Sequence, residues 1–252
     1  MPVGCERACM SYGENLCERN KYMIGIIGAM ELEVEKLKAA MTDTREIVFA
    51  GMNFVSGKLC GKDVVVVRSG VGKVNAAICT QLLIDRFSVD EVWNTGIAGS
   101  LDAAINIGDF VISTEAVQHD VDAVYFGYGL GVIPQMKVSF FPADPELSGL
   151  AERVSRRVNP ELSVFRGRVL SGDQFIADRN KKEWLKENFH GLCTEMEGAA
   201  IAQTAYLNGI PFLIIRAISD KADDSATEDS SVFEQKAGDH MAGLLLALVK
   251  ER

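Results

Sequence analysis

Three short acidic segments each follow a strongly apolar run that is typical of a buried strand. They are Met30-Glu31-Leu32-Glu33, Glu195-Met196-Glu197 and Arg216-Ala217-Ile218-Ser219-Asp220. A carboxylate beside apolar surroundings loses hydration, which is costly unless a partner charge, a hydrogen bond or a shifted pKa compensates. The pattern therefore places proton-exchanging groups at the rim of a sheet. The simpler interpretation is that each acid caps the helix after its strand, because negative groups favour helix N-termini.

Composition limits the classes of protein to consider. The chain has 252 residues, of which 48% are hydrophobic, enough for one α/β domain. We expect a single domain over residues 23–252 and a disordered N-terminal extension over residues 1–22. A formal net charge of −9 argues against nucleic acid as a partner. Charges or glycines interrupt every apolar stretch before the roughly 20 residues that span a bilayer, so we expect no membrane association.

The cysteines indicate a reducing compartment. Six cysteines at irregular spacings contain no CxxC pair, and residues 1–22 contain no apolar core of a secretory signal. We expect buried thiols and a cytoplasmic location. Cys5, Cys9 and Cys17 would make an incomplete ligand set for an iron–sulfur cluster.

The elements that must position the acids alternate along the chain from residue 23. The apolar patterns predict a three-layer α/β sandwich in which helices flank a central mixed β-sheet. Predicted strands cover residues 24–28, 54–59, 64–68, 91–95, 109–116, 165–171, 193–196 and 212–218. Predicted helices follow residue 33 and residue 72, cover 147–158, 181–188 and 198–207, and end with a stripe of Phe233, Ala237, Met241, Leu244, Leu245 and Leu248. Residues 96–100 are interpreted as a small-residue turn, and residues 118–142 as a long functional or interface loop.

Two glycine motifs resemble phosphate-binding turns, but neither has the full pattern that such a turn requires. Gly70-Val71-Gly72-Lys73 would need its first P-loop glycine at Val67, and Val74 stands where Ser or Thr should ligate magnesium. Gly25-Ile26-Ile27-Gly28 lacks the third glycine of a dinucleotide fold. These turns either offer backbone N–H groups to a small polar ligand or simply permit tight turns.

Six segments in order carry a resemblance over residues 23–252. They are residues 24–33 (IGIIGAMELE), 69–74 (SGVGKV), 94–99 (NTGIAG), 171–176 (SGDQFI), 195–200 (EMEGAA) and 216–220 (RAISD). In these segments the chain resembles the bacterial 5'-methylthioadenosine/S-adenosylhomocysteine nucleosidases of the purine nucleoside phosphorylase-like family.

The resemblance implies hydrolysis of the N-glycosidic bond of 5'-methylthioadenosine, S-adenosylhomocysteine and 5'-deoxyadenosine, in methionine salvage and the recycling of S-adenosylmethionine by-products. Asp220 is then the general acid that protonates adenine N7, held in place by Ser219. Glu33 is the base that activates water, Glu197 grips the ribose hydroxyls, and Arg216 helps hold the water. Such a reaction needs no cofactor and no metal.

The resemblance also assigns the residues that contact the nucleoside. Phe175, Ile176 and Met196 would line the purine, Ala98 and Gly99 would admit the ribose and base, and Met30 and Val71 would form an apolar wall for the alkylthio group. A homodimer is implied, with Phe126 and Pro134 contributed to the neighbouring site. The apolar residues among these could equally be ordinary core residues. His119, His190 and His240 are interpreted as surface or loop histidines, with His119 beside Asp120 and Asp122 as a possible subunit contact.

One segment departs from the family, and three rival functions remain open. Where family members often carry a lid phenylalanine, residues 224–231 read DSATEDSS, and Phe233 comes later. Phe233 could shift into place, the pocket could accept larger polar groups, or the segment could be a solvated loop with a helix-capping Ser230 or Ser231.

The rival functions are a nucleoside phosphorylase, a hydrolase of an aminodeoxyfutalosine-type nucleoside, and a non-catalytic sensor of adenine nucleosides.

Overall fold

A computed structural model describes residues 22–221 and 230–252, with side chains of the last helix from residue 237 onward. The predicted N-terminal extension, the segment 224–231 and the side chain of Phe233 therefore lie outside the described part, apart from Tyr22 and the backbone at 230–231. Within this part no helix is long and apolar enough to cross a membrane.

The described residues form ten strands and six α-helices. The strands are β1 Met23–Gly28, β2 Thr42–Phe49, β3 Met52–Leu59, β4 Lys62–Arg68, β5 Glu91–Ser100, β6 Phe110–Gln118, β7 Phe140–Pro142, β8 Val164–Ser171, β9 Cys193–Glu195 and β10 Phe212–Asp220. The helices are α1 Glu35–Ala40, α2 Lys73–Leu82, α3 Pro145–Val158, α4 Arg179–Phe189, α5 Gly198–Asn208 and α6 Ser230–Glu251. Short 3₁₀ turns occupy Glu31–Glu33 and Val124–Phe126, and a π-helical turn, Leu83–Phe87, extends α2.

The sheet is mixed, and one half of it closes on itself. Its strand order is β10-β6-β8-β9-β5-β1-β4-β3-β2, and β10 also pairs with β5, so that five strands form a ring. β1 runs parallel to β4 and β5, and β5 runs parallel to β10, whereas β2, β3 and β4 are antiparallel neighbours. The carboxyl ends of β1, β5 and β10 consequently meet at one edge, where ligands bind in open α/β folds.

Helices cover both faces of the sheet, as the predicted three-layer sandwich requires. The four consecutive valines of β4, residues 64–67, alternate between the faces because successive side chains of a strand point in opposite directions. The second and fourth cluster with Ala76 of α2 and Ile201 of α5. The first and third cluster with Leu37 of α1 and Leu244 of α6. The C-terminal helix is thus a core helix over its described side chains.

Two local expectations differ from the structure. Residues 96–100, interpreted as a turn, continue β5, because that stretch pairs with both β10 and β9. β2 was not predicted: all but the last of its side chains are exposed, so it shows no inward-facing apolar period. The long segment 118–142 is largely irregular, as predicted, with one 3₁₀ turn and the short strand β7.

Candidate active site

One pocket lies at the shared edge of the sheet, and its cavity volume is about 260 Å³. Three of the predicted acids, Glu33, Glu197 and Asp220, line this pocket together although they are far apart in sequence. Other lining residues are Ala29, Met30, Val71, Ile97, Ala98, Gly99, Phe175, Thr194, Glu195, Met196 and Ser219. The pocket is therefore an apolar cleft with a small number of convergent carboxylates, the usual form of a small-molecule site.

Glu33 is held by backbone amides on the 3₁₀ turn that follows β1. Its Oε2 accepts hydrogen bonds from the N–H groups of Ala29 at 2.7 Å and Met30 at 2.9 Å, and its Oε1 accepts one from Ile97 at 3.1 Å. Burial raises the pKa of this carboxyl, which outweighs the lowering by Arg216 and by the amide donors. A raised pKa brings the group towards neutral pH, where a carboxylate is an effective proton acceptor.

Two glycines of β5 leave space for the acids. A Cβ at Gly96 would overlap the Glu33 carboxyl and the Arg216 guanidinium, and a Cβ at Gly99 would press on the carboxyl of Asp220. The glycines that made residues 96–100 look like a turn are thus required by the close approach of side chains to this strand.

A buried guanidinium lies beneath the pocket floor. Arg216 is only 1% exposed; it forms an ion pair with Glu195, donates to the side chain of Asn94, and lies 3.8 Å from Glu197 Oε2. The neighbouring carboxylates raise the pKa of Arg216 despite its burial. Because an unpaired buried charge is very costly, each of these groups depends on the others for its place in the core.

Glu195 makes structural hydrogen bonds. Its carboxylate accepts from the hydroxyl of Ser171 and from the backbone N–H groups of Glu197 at 3.0 Å and Gly198 at 2.8 Å. It therefore caps the N-terminus of α5, so the simple capping interpretation holds for this acid.

Glu197 points one carboxylate oxygen at the Gly70–Lys73 turn. Its Oε1 accepts a hydrogen bond of 2.8 Å from the N–H of Gly72. Burial, followed by repulsion from Glu195, raises the pKa of Glu197 to about 7, against a lowering by Arg216. The Gly70–Lys73 turn, which lacks the pattern of a phosphate loop, thus orients the carboxyl of Glu197.

Asp220 ends β10 and is the most solvated of the three acids. Its side chain is 31% exposed, and its Oδ1 accepts a hydrogen bond of 3.1 Å from Ser219 Oγ. Its Oδ2 lies 2.6 Å from the ammonium of Lys182 on α4.

Glu33 and Asp220 lie at different ends of the pocket. Each borders a different small adjoining cavity: Asp220 shares one of about 40 Å³ with Ile176, and Glu33 shares one of about 10 Å³ with Thr95 and Met241. Two acids separated in this way can act on opposite sides of one ligand.

Not every predicted residue lines the pocket. Among the described residues, Arg216 lies beneath it, Ile176 borders only the adjoining cavity, and Phe126 and Pro134 are exposed away from it. Phe175 lines the pocket and is nonetheless 82% exposed, so its predicted stacking face is open.

Sequence reasoning missed the lysine beside Asp220. Lys182 is 3% exposed and shares a face of α4 with Leu185 and Phe189, at spacings of three and seven residues. A lysine within an apolar helical stripe was the available signal that this side chain is buried. The amide donors to Glu33 and Glu197 carry no side-chain signal.

The histidines form no metal site. His119, interpreted as a surface or loop residue, lies in a turn and is only 4% exposed, and burial lowers its pKa. The described residues contain no cluster of three or more His, Cys, Asp or Glu that could hold a metal ion. Cys79 and Cys193 are buried free thiols, as expected, whereas Cys60 is exposed.

This combination of a mixed sheet and acids at its carboxyl edge defines a nucleoside phosphorylase or hydrolase-like protein. The family model described as the phosphorylase superfamily matches residues 23–250. Among curated relatives, the 5'-methylthioadenosine/S-adenosylhomocysteine nucleosidase of Staphylococcus carnosus is 45% identical, and the match covers 90% of this chain and 99% of that protein.

Solved structures of related enzymes share the fold of this chain over nearly its whole length. The nucleosidase of the same name from Neisseria meningitidis, in complex with methylthio-immucillin-A, has a TM-score of 0.86 and 38% identity, covering 91% of this chain and 99% of that one. The futalosine hydrolase of Helicobacter pylori has a TM-score of 0.85 and 34% identity, covering 92% and 98%. The chain therefore belongs to the 5'-methylthioadenosine/S-adenosylhomocysteine nucleosidase family of the phosphorylase superfamily.

Proposed function

We propose that this protein hydrolyses the N-glycosidic bond of 5'-methylthioadenosine and S-adenosylhomocysteine, releasing adenine and the 5'-substituted ribose. The observation that carries the proposal is the single pocket that joins Glu33, Glu197 and Asp220, with the first and last at different ends. Family membership supports the same reaction.

Each acid has an environment that suits one step. Asp220 is the general acid: protonation of adenine N7 neutralises the charge that builds on the leaving purine, and Ser219 orients the carboxyl. Glu33 takes a proton from the attacking water, because burial has raised its pKa. Glu197 accepts hydrogen bonds from the ribose hydroxyls. Anions near the sugar also stabilise an oxocarbenium-like transition state.

Arg216 acts from below the pocket. Its guanidinium compensates the charge of Glu195 and Glu197 and faces Glu33, so it holds the base and the ribose-binding acid in their places. Its assigned contact with the attacking water would be made from this position, where the guanidinium and the Glu33 carboxyl both lie against Gly96.

The apolar residues provide the remaining contacts. Phe175, Met196 and Ile176 surround the purine, with Ile176 reaching it from the adjoining cavity, and Ala98 and Gly99 lie against the ribose and base. Met30 and Val71 face the alkylthio group. All of these except Ile176 line the main pocket.

Water is favoured over phosphate as the nucleophile. The main pocket is lined by four carboxylates and by no Lys or Arg, and the two buried cations beside it, Arg216 and Lys182, are already paired with Glu195 and Asp220. A phosphate would meet repulsion from Glu33 and Glu197 with no unpaired cation among the described lining residues to offset it. Assaying adenine release from 5'-methylthioadenosine with and without phosphate distinguishes the two: hydrolysis proceeds unchanged without phosphate, whereas a strict phosphate requirement or a ribose-1-phosphate product contradicts it.

The same assay on a panel of substrates addresses specificity. We expect activity on 5'-methylthioadenosine, S-adenosylhomocysteine and 5'-deoxyadenosine. An aminodeoxyfutalosine-type nucleoside is the second candidate, favoured by the likeness to the Helicobacter pylori futalosine hydrolase. Preference for that nucleoside by more than about tenfold in kcat/KM would assign the chain to it.

Asp220→Asn separates an enzyme from a sensor. The amide cannot donate the acid's proton, so turnover should be abolished while adenine binding stays within about threefold. Undiminished turnover would remove Asp220 from its role, and a wild-type chain that binds adenine without cleaving any nucleoside would be a sensor.

A homodimer fits the exposed apolar surface. Tyr125 is 95% exposed and Phe126 77%, and Val74 and Leu207 are also largely exposed. We place Phe126 and Pro134 of each subunit at the neighbouring subunit's alkylthio pocket. We further place the protein in the cytoplasm, as one catalytic domain over residues 23–252 that serves methionine salvage. Analytical ultracentrifugation tests the dimer.

A further inference from the structure

The ammonium of Lys182 is buried against the proposed general acid. Its side chain is 4% exposed; Nζ donates to Asp220 Oδ2 at 2.6 Å and to the carbonyl oxygen of Lys221 at 2.8 Å. The other carboxyl oxygen of Asp220 accepts from Ser219. Both oxygens of the acid are thus engaged, one of them by a group that carries a transferable proton.

A purely structural role explains this lysine poorly. Leu185 and Phe189 already pack the inner face of α4 into an apolar cluster, so a methionine at position 182 could continue that face. Burying an ammonium is costly, and a buried ion pair is often no more stabilising than apolar residues of similar volume. Asp220 keeps 31% of its side chain exposed, so water could solvate its charge without the lysine.

The geometry of the pair matches the need of the reaction. A carboxyl can give a proton to the purine only after one of its oxygens has received a proton. Nζ of Lys182 lies 2.6 Å from Asp220 Oδ2 along a hydrogen bond that already points an N–H at this oxygen, so no rearrangement is needed for transfer.

We propose that Lys182 is a positioning residue that fixes the carboxyl of Asp220 and supplies the proton that Asp220 passes to the purine. The inference rests on the proposed glycosidic hydrolysis. An Nζ–H bond breaks as the Oδ2–H bond forms; that bond then breaks as N7–H forms and the sugar–purine bond cleaves, with its electron pair on the purine. Water adds its oxygen to the sugar and its proton goes to Glu33. Exchange with solvent then returns a proton to Lys182 and removes one from Glu33.

Two substitutions distinguish proton supply from charge alone. Lys182→Met removes both the positive charge and the transferable proton. Lys182→Arg keeps the charge and the hydrogen-bond donors, but a guanidinium does not release a proton in proteins. Both variants should lower kcat by about 10- to 100-fold, part of the usual contribution of a general acid, with KM within about threefold. Lys186→Met is the matched control: it lies one turn further along α4, pairs with Asp102 and is half-exposed. It should keep wild-type kcat.

Chemical rescue gives an independent measurement. Lys182→Ala leaves a gap beside Asp220, so added ethylamine should restore kcat severalfold, whereas tetramethylammonium, which carries charge but no N–H, should not. Near-wild-type adenine affinity and near-ultraviolet circular dichroism confirm folding; if Lys182→Met does not fold, Lys182→Arg and the rescue decide.

Wild-type kcat in Lys182→Arg, or equal rescue by both cations, would overturn proton supply. Wild-type kcat in Lys182→Met would overturn the role altogether. In each case adenine release by the wild-type protein and its loss in Asp220→Asn would leave the proposed function intact. A wild-type protein that releases no adenine would instead refute the proposed function.

Discussion

The buried carboxyl of Glu197 should lower the stability of the folded protein at alkaline pH. The residue is 4% exposed, and its pKa rises from 4.5 to about 7 on folding, first because of burial and then because of Glu195. Between those pH values the folded chain keeps a proton that the unfolded chain has lost. The free energy of unfolding therefore falls as pH increases from about 4.5 to about 7.

The magnitude follows from the same shift. At 1.36 kcal/mol per pH unit, a rise from 4.5 to about 7 corresponds to about 3 kcal/mol. Glu197→Gln removes the titration while its carbonyl oxygen can still accept from Gly72. The variant should be more stable than the wild type by about 3 kcal/mol at pH 8 and by less than about 1 kcal/mol at pH 5. In a chain of this size the gain at pH 8 corresponds to about 6–12 °C in Tm.

Urea unfolding at pH 5, 6.5 and 8 measures this difference. Glu187→Gln is the control, because Glu187 is exposed on α4 and its substitution should change stability by less than about 0.5 kcal/mol at every pH. Glu197→Gln should also lose about 10- to 100-fold in kcat/KM, through loss of charged hydrogen bonds to the ribose. A variant that is less stable than the wild type at pH 8, or whose advantage does not change with pH, would refute the reasoning.

Four other substitutions test separate parts of the site. Arg216→Met should lower the free energy of unfolding in urea by about 3–5 kcal/mol, because it leaves buried carboxylates unpaired. Arg179→Met, which removes an exposed ion pair, should lower it by less than about 1 kcal/mol, and equal losses in the two variants would contradict a buried, mutually dependent set of charges around Arg216. Glu33→Gln should lower kcat by at least about 10²-fold with adenine affinity unchanged, and a smaller loss would argue against Glu33 as the base. Gly96→Ala should lower kcat at least about tenfold, because the added methyl group displaces the Glu33 carboxyl. Wild-type activity would show that β5 shifts enough to accommodate the methyl group without moving Glu33. Phe126→Ala should raise KM for 5'-methylthioadenosine about tenfold without changing KM for adenosine, and an equal change in both would place Phe126 elsewhere.

Much of the fold could be predicted because apolar runs and their periods reflect burial. The four valines of β4 and the stripe of α6 carry that signal directly. β2 lies at the edge of the sheet with nearly all of its side chains exposed, so no inward-facing period marks it. The glycines at 96–100 suggested a turn, whereas they belong to a strand that side chains approach closely.

The site was predictable to the extent that its acids follow buried strands. Their positions in the sequence indicated the edge of the sheet at which Glu33, Glu197 and Asp220 meet. The pairing of Lys182 with Asp220 depends on how α4 packs against the end of β10, which no local pattern specifies. The burial of His119 and the amide donors around Glu33 likewise follow from tertiary structure.

A crystal structure with a non-hydrolysable 5'-methylthioadenosine analogue tests the central claim most directly. It should place the Asp220 carboxyl within about 2.6–3.2 Å of purine N7, and a Glu33 oxygen at the same range from a water that faces the anomeric carbon. An analogue bound with either carboxyl turned away from it, or with no water between Glu33 and the sugar, would contradict the proposed division of roles.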